Sequence, residues 1–159
     1  MILSNLLMDK IIISDTSCLI SLSNIGLLHI IKDLYGEIII TPEVKAEFGG
    51  ILPDWIIVCQ VKNKAKQADI ENRLDKGEAS SIALALEIPN TILIIDEIKG
   101  RNIAKSFNIE IIGTIGILLL ASNKGLIKDV IGVVLKLVNG GFRLSDKLLD
   151  KIIDTYGRK

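Results

Sequence analysis

Short, Ile-rich runs alternate with segments of helical period along this chain, and that alternation constrains its fold more than any other feature. Lys10 to Ser14, Glu37 to Ile40, Trp55 to Cys59, Thr91 to Ile95 and Ile109 to Ile112 are each four or five residues long and lack the polar alternation of half-exposed strands. Strands apolar on both faces belong to a parallel sheet covered by helices on two sides. The expected fold is a three-layer α/β/α domain with a central parallel sheet and a helical C-terminal segment. Between the strands, Leu19, Leu22, Ile25 and Leu28 recur at helical spacing, Gly26 ends or bends that helix, and Leu27 to Leu34 continue as a second one. Thr41-Pro42 opens a short helix as N-cap and first residue, and Gly49-Gly50 closes it. Asn63 to Arg73 reads as a polar helix or loop, and Gly77 to Pro89 as a helix of about three turns. Ile98, Ile103, Ala104 and Phe107 mark another helix. After Gly113 the chain reads as all helix, Thr114 to Ser122, Lys128 to Val138 and Leu144 to Tyr156, the last with Ser145 as N-cap. Residues 1–159 fit one domain, with a core of about 10–113 and C-terminal helices of about 114–156.

Composition narrows the function classes. Hydrophobic residues make up 49% of the chain and aromatics only 4%, with 31 Ile and 22 Leu, so the core is aliphatic and lacks the rings of a base-stacking platform. Lys and Arg number 19 and Asp and Glu number 19, which argues against coating nucleic acid by bulk charge. No apolar run exceeds the five residues of Ile117 to Ala121, far short of a membrane span. Met1 to Met8 has no basic leader and no cleavage site, so a cytoplasmic protein is expected. Cys18 and Cys59 read as small core residues and suggest neither zinc nor a disulfide. His29 falls on an apolar helix and reads as a core or boundary residue, not a base.

Ligands of open α/β sheets bind beyond the carboxyl ends of the strands. Asp15 and Asp96 stand there by sequence. Either alone would most simply cap the next helix, but two on neighbouring strands repel, and a proton or a hard divalent cation must offset that. Glu47 and Glu78 come from helices opening toward the same edge. Asp54, Asp69, Glu71 and Asp75 read as solvated, and Glu97 either caps its helix or completes the shell.

Ile-Ile-Ser-Asp-Thr-Ser (12–17), Thr-Pro-Glu-Val-x-x-Glu-Phe (41–48), Gly-Glu-Ala-x-x-Ile-Ala (77–83) and Ile-Ile-Asp-Glu (94–97) resemble, in order and spacing, the four blocks of PIN-domain proteins. Gly-Arg-x-x-Ala (100–104), Ile-Ile-Gly-Thr-Ile-Gly-Ile-Leu-Leu (111–119) and Gly-Phe-Arg-Leu-Ser-Asp (141–146) resemble a PIN-like bacterial and archaeal subfamily labelled as a domain of unknown function. The resemblance implies a metal-dependent ribonuclease, with Asp15, Glu47, Glu78 and Asp96 matching the acidic quartet and holding Mg²⁺ or Mn²⁺. Thr16 and Ser17 would position Asp15 and a water, and Arg101 and Lys105 are candidates for phosphate contact. Where the toxin branch reads Thr-x-Asp, this chain has Ile94-Ile95-Asp96, which removes a hydroxyl. The resemblance to VapC-type toxins also implies an RNA substrate, a homodimer and a small antitoxin-like partner. The apolar excess of Leu19 to Leu34 supports an exposed patch for such contacts. A phosphoacceptor receiver would need an acidic pair and a late Lys, and a haloacid-dehalogenase phosphatase would need Asp-x-Asp; neither is present. The remaining alternative is a PIN-like domain that binds without turnover.

Overall fold

The computed structural model describes residues 10–157, so the reading of Met1 to Met8 lies outside the described residues. Five strands, β1 Ile11–Ser14, β2 Ile38–Ile40, β3 Ile56–Val58, β4 Thr91–Ile94 and β5 Glu110–Ile112, form one sheet in the order β3-β2-β1-β4-β5, parallel throughout. Nine helices are present among the described residues: α1 Thr16–Asn24, α2 His29–Tyr35, α3 Pro42–Phe48, α4 Lys64–Glu71, α5 Lys76–Glu87, α6 Ile98–Ser106, α7 Thr114–Asn123, α8 Val130–Asn139 and α9 Asp146–Tyr156.

Successive strand residues point to opposite faces, and each face carries its own aliphatic core. Ile12 and Ile94 pack with Leu19, Leu22, Ile31, Ile117 and Val134 on the side of α1, α2, α7 and α8. Ile13 and Leu93 pack with Ile70, Ile82 and Ile103 on the side of α4, α5 and α6. Each fully buried Ile or Leu stabilises the fold by about 1.5–3 kcal/mol, so both layers are anchored to the sheet independently of local helix propensity. The three-layer expectation is met, and α7 and α8 share a core with β1 and α1.

Helix starts follow the expected chemistry at Thr41, which accepts from Val44 N–H at 3.2 Å, and at Ser145, which accepts from Leu148 N–H at 3.1 Å. The ambiguous stretch after Asn63 is a helix, capped by Asn63 through Lys66 N–H at 3.0 Å. Three expectations are corrected. His29 is exposed in the first turn of α2, because Ile30 and Ile31 take the inward positions. Cys18 is buried as expected, but Cys59 is only partly so, following the edge strand β3. Most apolar side chains of Leu19 to Leu34 enter or border a core, and Ile20 is the one large exposed hydrophobic there, so no broad patch forms. Among the described residues, no single helix is long and apolar enough to cross a membrane.

The connections run outward from β1 to β2 and β3, then return to place β4 on the other side of β1. The crevice at that reversal lies beyond the carboxyl ends of β1 and β4, whose register pairs Ser14 with Ile94. Asp15 and Asp96 leave the sheet there.

Candidate active site

Asp15 occupies the N-cap position of α1 with an extended backbone, yet its side chain accepts no capping hydrogen bond. The plain helix-cap role is therefore not the one it plays. Its N–H donates to the Ile94 carbonyl at 2.9 Å, which fixes the residue against β4. Only 4% of Asp15 is exposed. Burial disfavours the charged form, the Thr16 N–H offsets part of that, and the charges of Asp75, Glu47 and Asp96 add to it, pushing the carboxyl up to about 7.

Glu47 reaches the same place from the last turn of α3 and is exposed. A Cβ on Gly77 would fall 2.0 Å from Glu47 Oε1 and 3.3 Å from Asp15 Oδ1, so glycine at the second position of α5 leaves the room in which these carboxylates face each other. Burial and then the Asp75 charge raise the Glu47 carboxyl. Glu78, one residue on, is 7% exposed, and its Oε2 is buried with no hydrogen-bond partner. That oxygen lies against Gly100 of α6, where a Cβ would come within 2.6 Å of it. Burial first, then a hydrogen bond and repulsion from Asp75, push Glu78 up to about 8.

Asp75 was expected to be a solvated loop acid. It is exposed, but its Oδ1 accepts the Glu78 N–H at 2.8 Å as N-cap of α5, and its charge acts on Asp15, Glu47 and Glu78 alike. Asp-x-x-Glu is the capping signature that could have revealed it, since such a pair holds a cap and its partner acid together.

Asp96 is held differently. Its Oδ1 accepts the Thr114 N–H at 2.7 Å and its Oδ2 accepts the Thr114 hydroxyl at 2.6 Å. The hydroxyl missing from Ile94-Ile95-Asp96 is thus supplied from the start of α7, a role that sequence reading did not give to Thr114. Its signal was a Thr directly after Gly113 at a helix start. Arg101 donates from Nη1 to the Ile95 carbonyl at 2.9 Å, beside Asp96, while Lys105 is exposed one turn further along α6.

Of the remaining expected residues, Glu97 holds the N-cap position of α6 without a side-chain cap bond, is exposed, and adds its charge to the field at Glu78. Thr16 is buried, and its hydroxyl lies by the Glu47 carboxylate, whose rise it tempers, without closing a well-aligned hydrogen bond. Ser17 is exposed, and among the described residues its hydroxyl makes no hydrogen bond to a carboxylate. The expected donation from Thr16 and Ser17 to Asp15 is therefore not made. The Cys18 thiol, packed behind the site, is pushed up to about 12 by burial and is no nucleophile at neutral pH.

With this geometry established, comparison with known proteins is decisive at one point: the sequence profile of DUF3368, a PIN-domain family, matches residues 11–158. The chain belongs to that family. No curated protein and no solved structure matched it. PIN domains are generally nucleases and typically use divalent metals. The donor chemistry here fits such an ion: the acids are hard oxygen ligands, Glu78 Oε2 is buried without a partner, and no Lys or Arg among the described residues forms an ion pair with Asp15, Glu47, Asp75, Glu78 or Asp96. The side chains do not close a cage, because among the described residues no three metal-ligating groups stand together as placed.

Proposed function

We propose that this PIN domain is a divalent-metal-dependent ribonuclease that hydrolyses RNA phosphodiester bonds, with Asp15, Glu47, Glu78 and Asp96 as its working carboxylates and Mg²⁺ or Mn²⁺ as its ion. The observation that carries this reading is the gathering of uncompensated acids, two of them buried, at the reversal between β1 and β4. Burying like charges without a counter-ion costs stability, and a fold retains such a cost where function requires it.

When bound, a divalent ion polarises the scissile phosphate and strengthens water as a nucleophile. Asp15 and Asp96, rooted on adjacent strands, would hold it from the sheet, with Glu47 and Glu78 from the helices. Thr114 fixes the orientation of Asp96 with two hydrogen bonds, leaving its outer lone pairs for ligation. Without a cation, burial and the neighbouring acids push the Asp15 and Glu78 carboxyls up to about 7 and 8, so taking up the ion would displace protons that these groups otherwise hold near neutral pH. Arg101 is anchored through one nitrogen and keeps its other donors for a phosphate oxygen. With no histidine in the described part of the site, the reading commits to hydrolysis that leaves 5′-phosphate and 3′-hydroxyl ends. Its wider form is a toxin that acts as a homodimer and is restrained by a small antitoxin-like protein; these partners rest on the resemblance, since the expected apolar patch is absent.

A second reading has one observation in its favour: Asp96 already spends both oxygens on Thr114 and no cage is closed, as in a PIN domain kept for binding RNA or protein without turnover. Calorimetric titration with Mn²⁺, together with an RNA cleavage assay, separates the two. The ribonuclease reading expects binding and cleavage in the parent and neither in an Asp15→Asn, Asp96→Asn double variant. Equal metal binding in both proteins, or a parent with no cleavage, favours the binding module.

A further inference from the structure

The buried residues of helix α5 include Ala79, Ala83 and Ala85, alanine being the best helix former. Ser80 and Ser81 interrupt that run, and both are fully buried. Each hydroxyl donates to the Gly77 carbonyl, Ser80 at 3.0 Å and Ser81 at 2.7 Å. A serine hydroxyl bonded back onto its own helix offers no gain in helix stability over alanine and tends to bend the helix. Two in succession, both ending on the glycine that faces Glu47 and Asp15, point to a reason other than stability.

The two serines differ in what else they reach. Among the described residues, the side-chain hydrogen bond of Ser81 stays within α5, whereas Ser80 Oγ also lies 2.7 Å from the Thr41 hydroxyl, 39 positions away. A serine hydroxyl has a single proton. Ser80 gives its proton to the Gly77 carbonyl, so Thr41 is the donor between them, and Thr41 Oγ1 in turn accepts the Val44 N–H at 3.2 Å as N-cap of α3. One directed chain results, from Val44 N–H through Thr41 and Ser80 to the Gly77 carbonyl, with Thr41 and Ser80 closed to solvent. A fully satisfied buried chain holds its members in one arrangement, because a shift leaves a polar group unpaired. At the other end of α3, Glu47 Oε1 occupies the space that a side chain on Gly77 would fill, and the Gly77 N–H faces that carboxylate and tempers its rise. Both ends of the seven-residue α3 therefore converge on Gly77, the start through its carbonyl and the end through its N–H.

We propose that Ser80 is a positioning residue for this site: its hydroxyl, linked to Thr41, locks α3 against α5 and so fixes where the Glu47 carboxylate stands over Gly77 and beside Asp15. Ser80 itself is fully enclosed and acts only through Glu47. The inference rests on the ribonuclease reading for the work that Glu47 does, and it adds to that reading the contact that sets where one of the helix-borne acids stands.

The test uses the whole chain and reads Mn²⁺ affinity by calorimetric titration and RNA cleavage at saturating Mn²⁺. Ser80→Ala breaks the chain. Ser81→Ala removes an equally buried hydroxyl from the same carbonyl, one whose hydrogen bond stays within α5, and Thr41→Ser keeps both the cap and the chain. Ser80→Ala should weaken Mn²⁺ binding about tenfold and lower kcat by a similar factor, with KM for RNA within about twofold of the parent. Ser81→Ala and Thr41→Ser should each bind Mn²⁺ within about twofold of the parent. In a Glu47→Gln background, Ser80→Ala should change Mn²⁺ affinity by less than about twofold, since the residue through which it acts is already altered. If Ser80→Ala melts well below the parent, Ser80→Cys fills the space with a weak donor and acceptor and should shift Mn²⁺ affinity in the same direction. A Ser80→Ala protein that binds Mn²⁺ as the parent does, an equal loss in Ser81→Ala, or an undiminished loss in the Glu47→Gln background overturns the positioning role. A parent that binds Mn²⁺ without cleaving RNA overturns the ribonuclease reading, and the same affinity series still decides the role of Ser80. A parent that binds no Mn²⁺ overturns both.

Discussion

The carboxyl ends of β1 and β4 lie side by side and treat their aspartates in opposite ways. Asp15 is buried at a helix N-cap whose capping bond it does not make, and its carboxyl is pushed up to about 7. Asp96, partly buried on the adjacent strand, has both oxygens satisfied by Thr114. One end of the crevice is electrostatically costly and open to a cation or proton. The other is a rigid anchor. A fold built for stability alone would satisfy both, so the asymmetry locates where function opposes stability.

The largest expected effect comes from removing the costly acid. Asp15→Asn should abolish RNA cleavage to background and yet stabilise the metal-free protein at pH 8. A carboxyl that binds its proton more tightly when folded contributes stability that is complete below its unfolded value, near 3.8, and is lost as pH rises through about 7. Relieving that loss gains on the order of 4 kcal/mol above pH 7, or roughly 8–16 °C in Tm. Glu78, raised from 4.5 to about 8, extends the same fall upward. Metal-free parent should therefore lose Tm steadily between about pH 5 and 8, and Asp15→Asn should flatten that slope. Thermal melts across this range check it; a parent whose Tm is constant or rises over the range breaks the contrast.

Breaking the anchor has the opposite sign on stability and a smaller effect on activity. Thr114→Val removes the hydroxyl bond to Asp96 and should lower Tm by the equivalent of about 1.5–3 kcal/mol. Cleavage should drop about 10–100-fold through misorientation of Asp96. Gly77→Ala comes next: the added methyl collides with Glu47 Oε1, so Glu47 must turn away from Asp15. Cleavage falls, with Tm unchanged or raised by better helix propensity. Unaltered cleavage in Gly77→Ala would remove Glu47 from the working set. Smallest of all, His29→Ala should leave both melts and kinetics within error, because His29 is exposed on α2 and belongs to neither core.

The contrast also separates what was legible in the sequence from what was not. Strand runs and helix starts were readable because burial on two faces and N-cap chemistry leave local signatures, as at Ile11–Ser14 and Thr41-Pro42. Asp15 and Asp96 were readable as strand-end acids. Their unlike environments were not, since Thr114 meets Asp96 across 18 positions and depends on α7 docking at the sheet edge. Asp75 looked solvated because exposure is what composition predicts for it; its charge matters through proximity to three other acids, which only packing creates. The apolar excess of Leu19 to Leu34 misled for a related reason: two layers of helices on that face absorb more aliphatic surface than one amphipathic stripe would need.

The central claim is that the uncompensated acids at this crevice serve metal-dependent hydrolysis of RNA, and the ends of the cleavage products test it most directly. Mass spectrometry of fragments made by the purified parent with Mn²⁺ should find 5′-phosphate and 3′-hydroxyl termini, and no fragments with excess EDTA or with Asp15→Asn folded as the parent is. Products ending in 2′,3′-cyclic phosphate, or cleavage that persists in Asp15→Asn with excess chelator, would contradict the account.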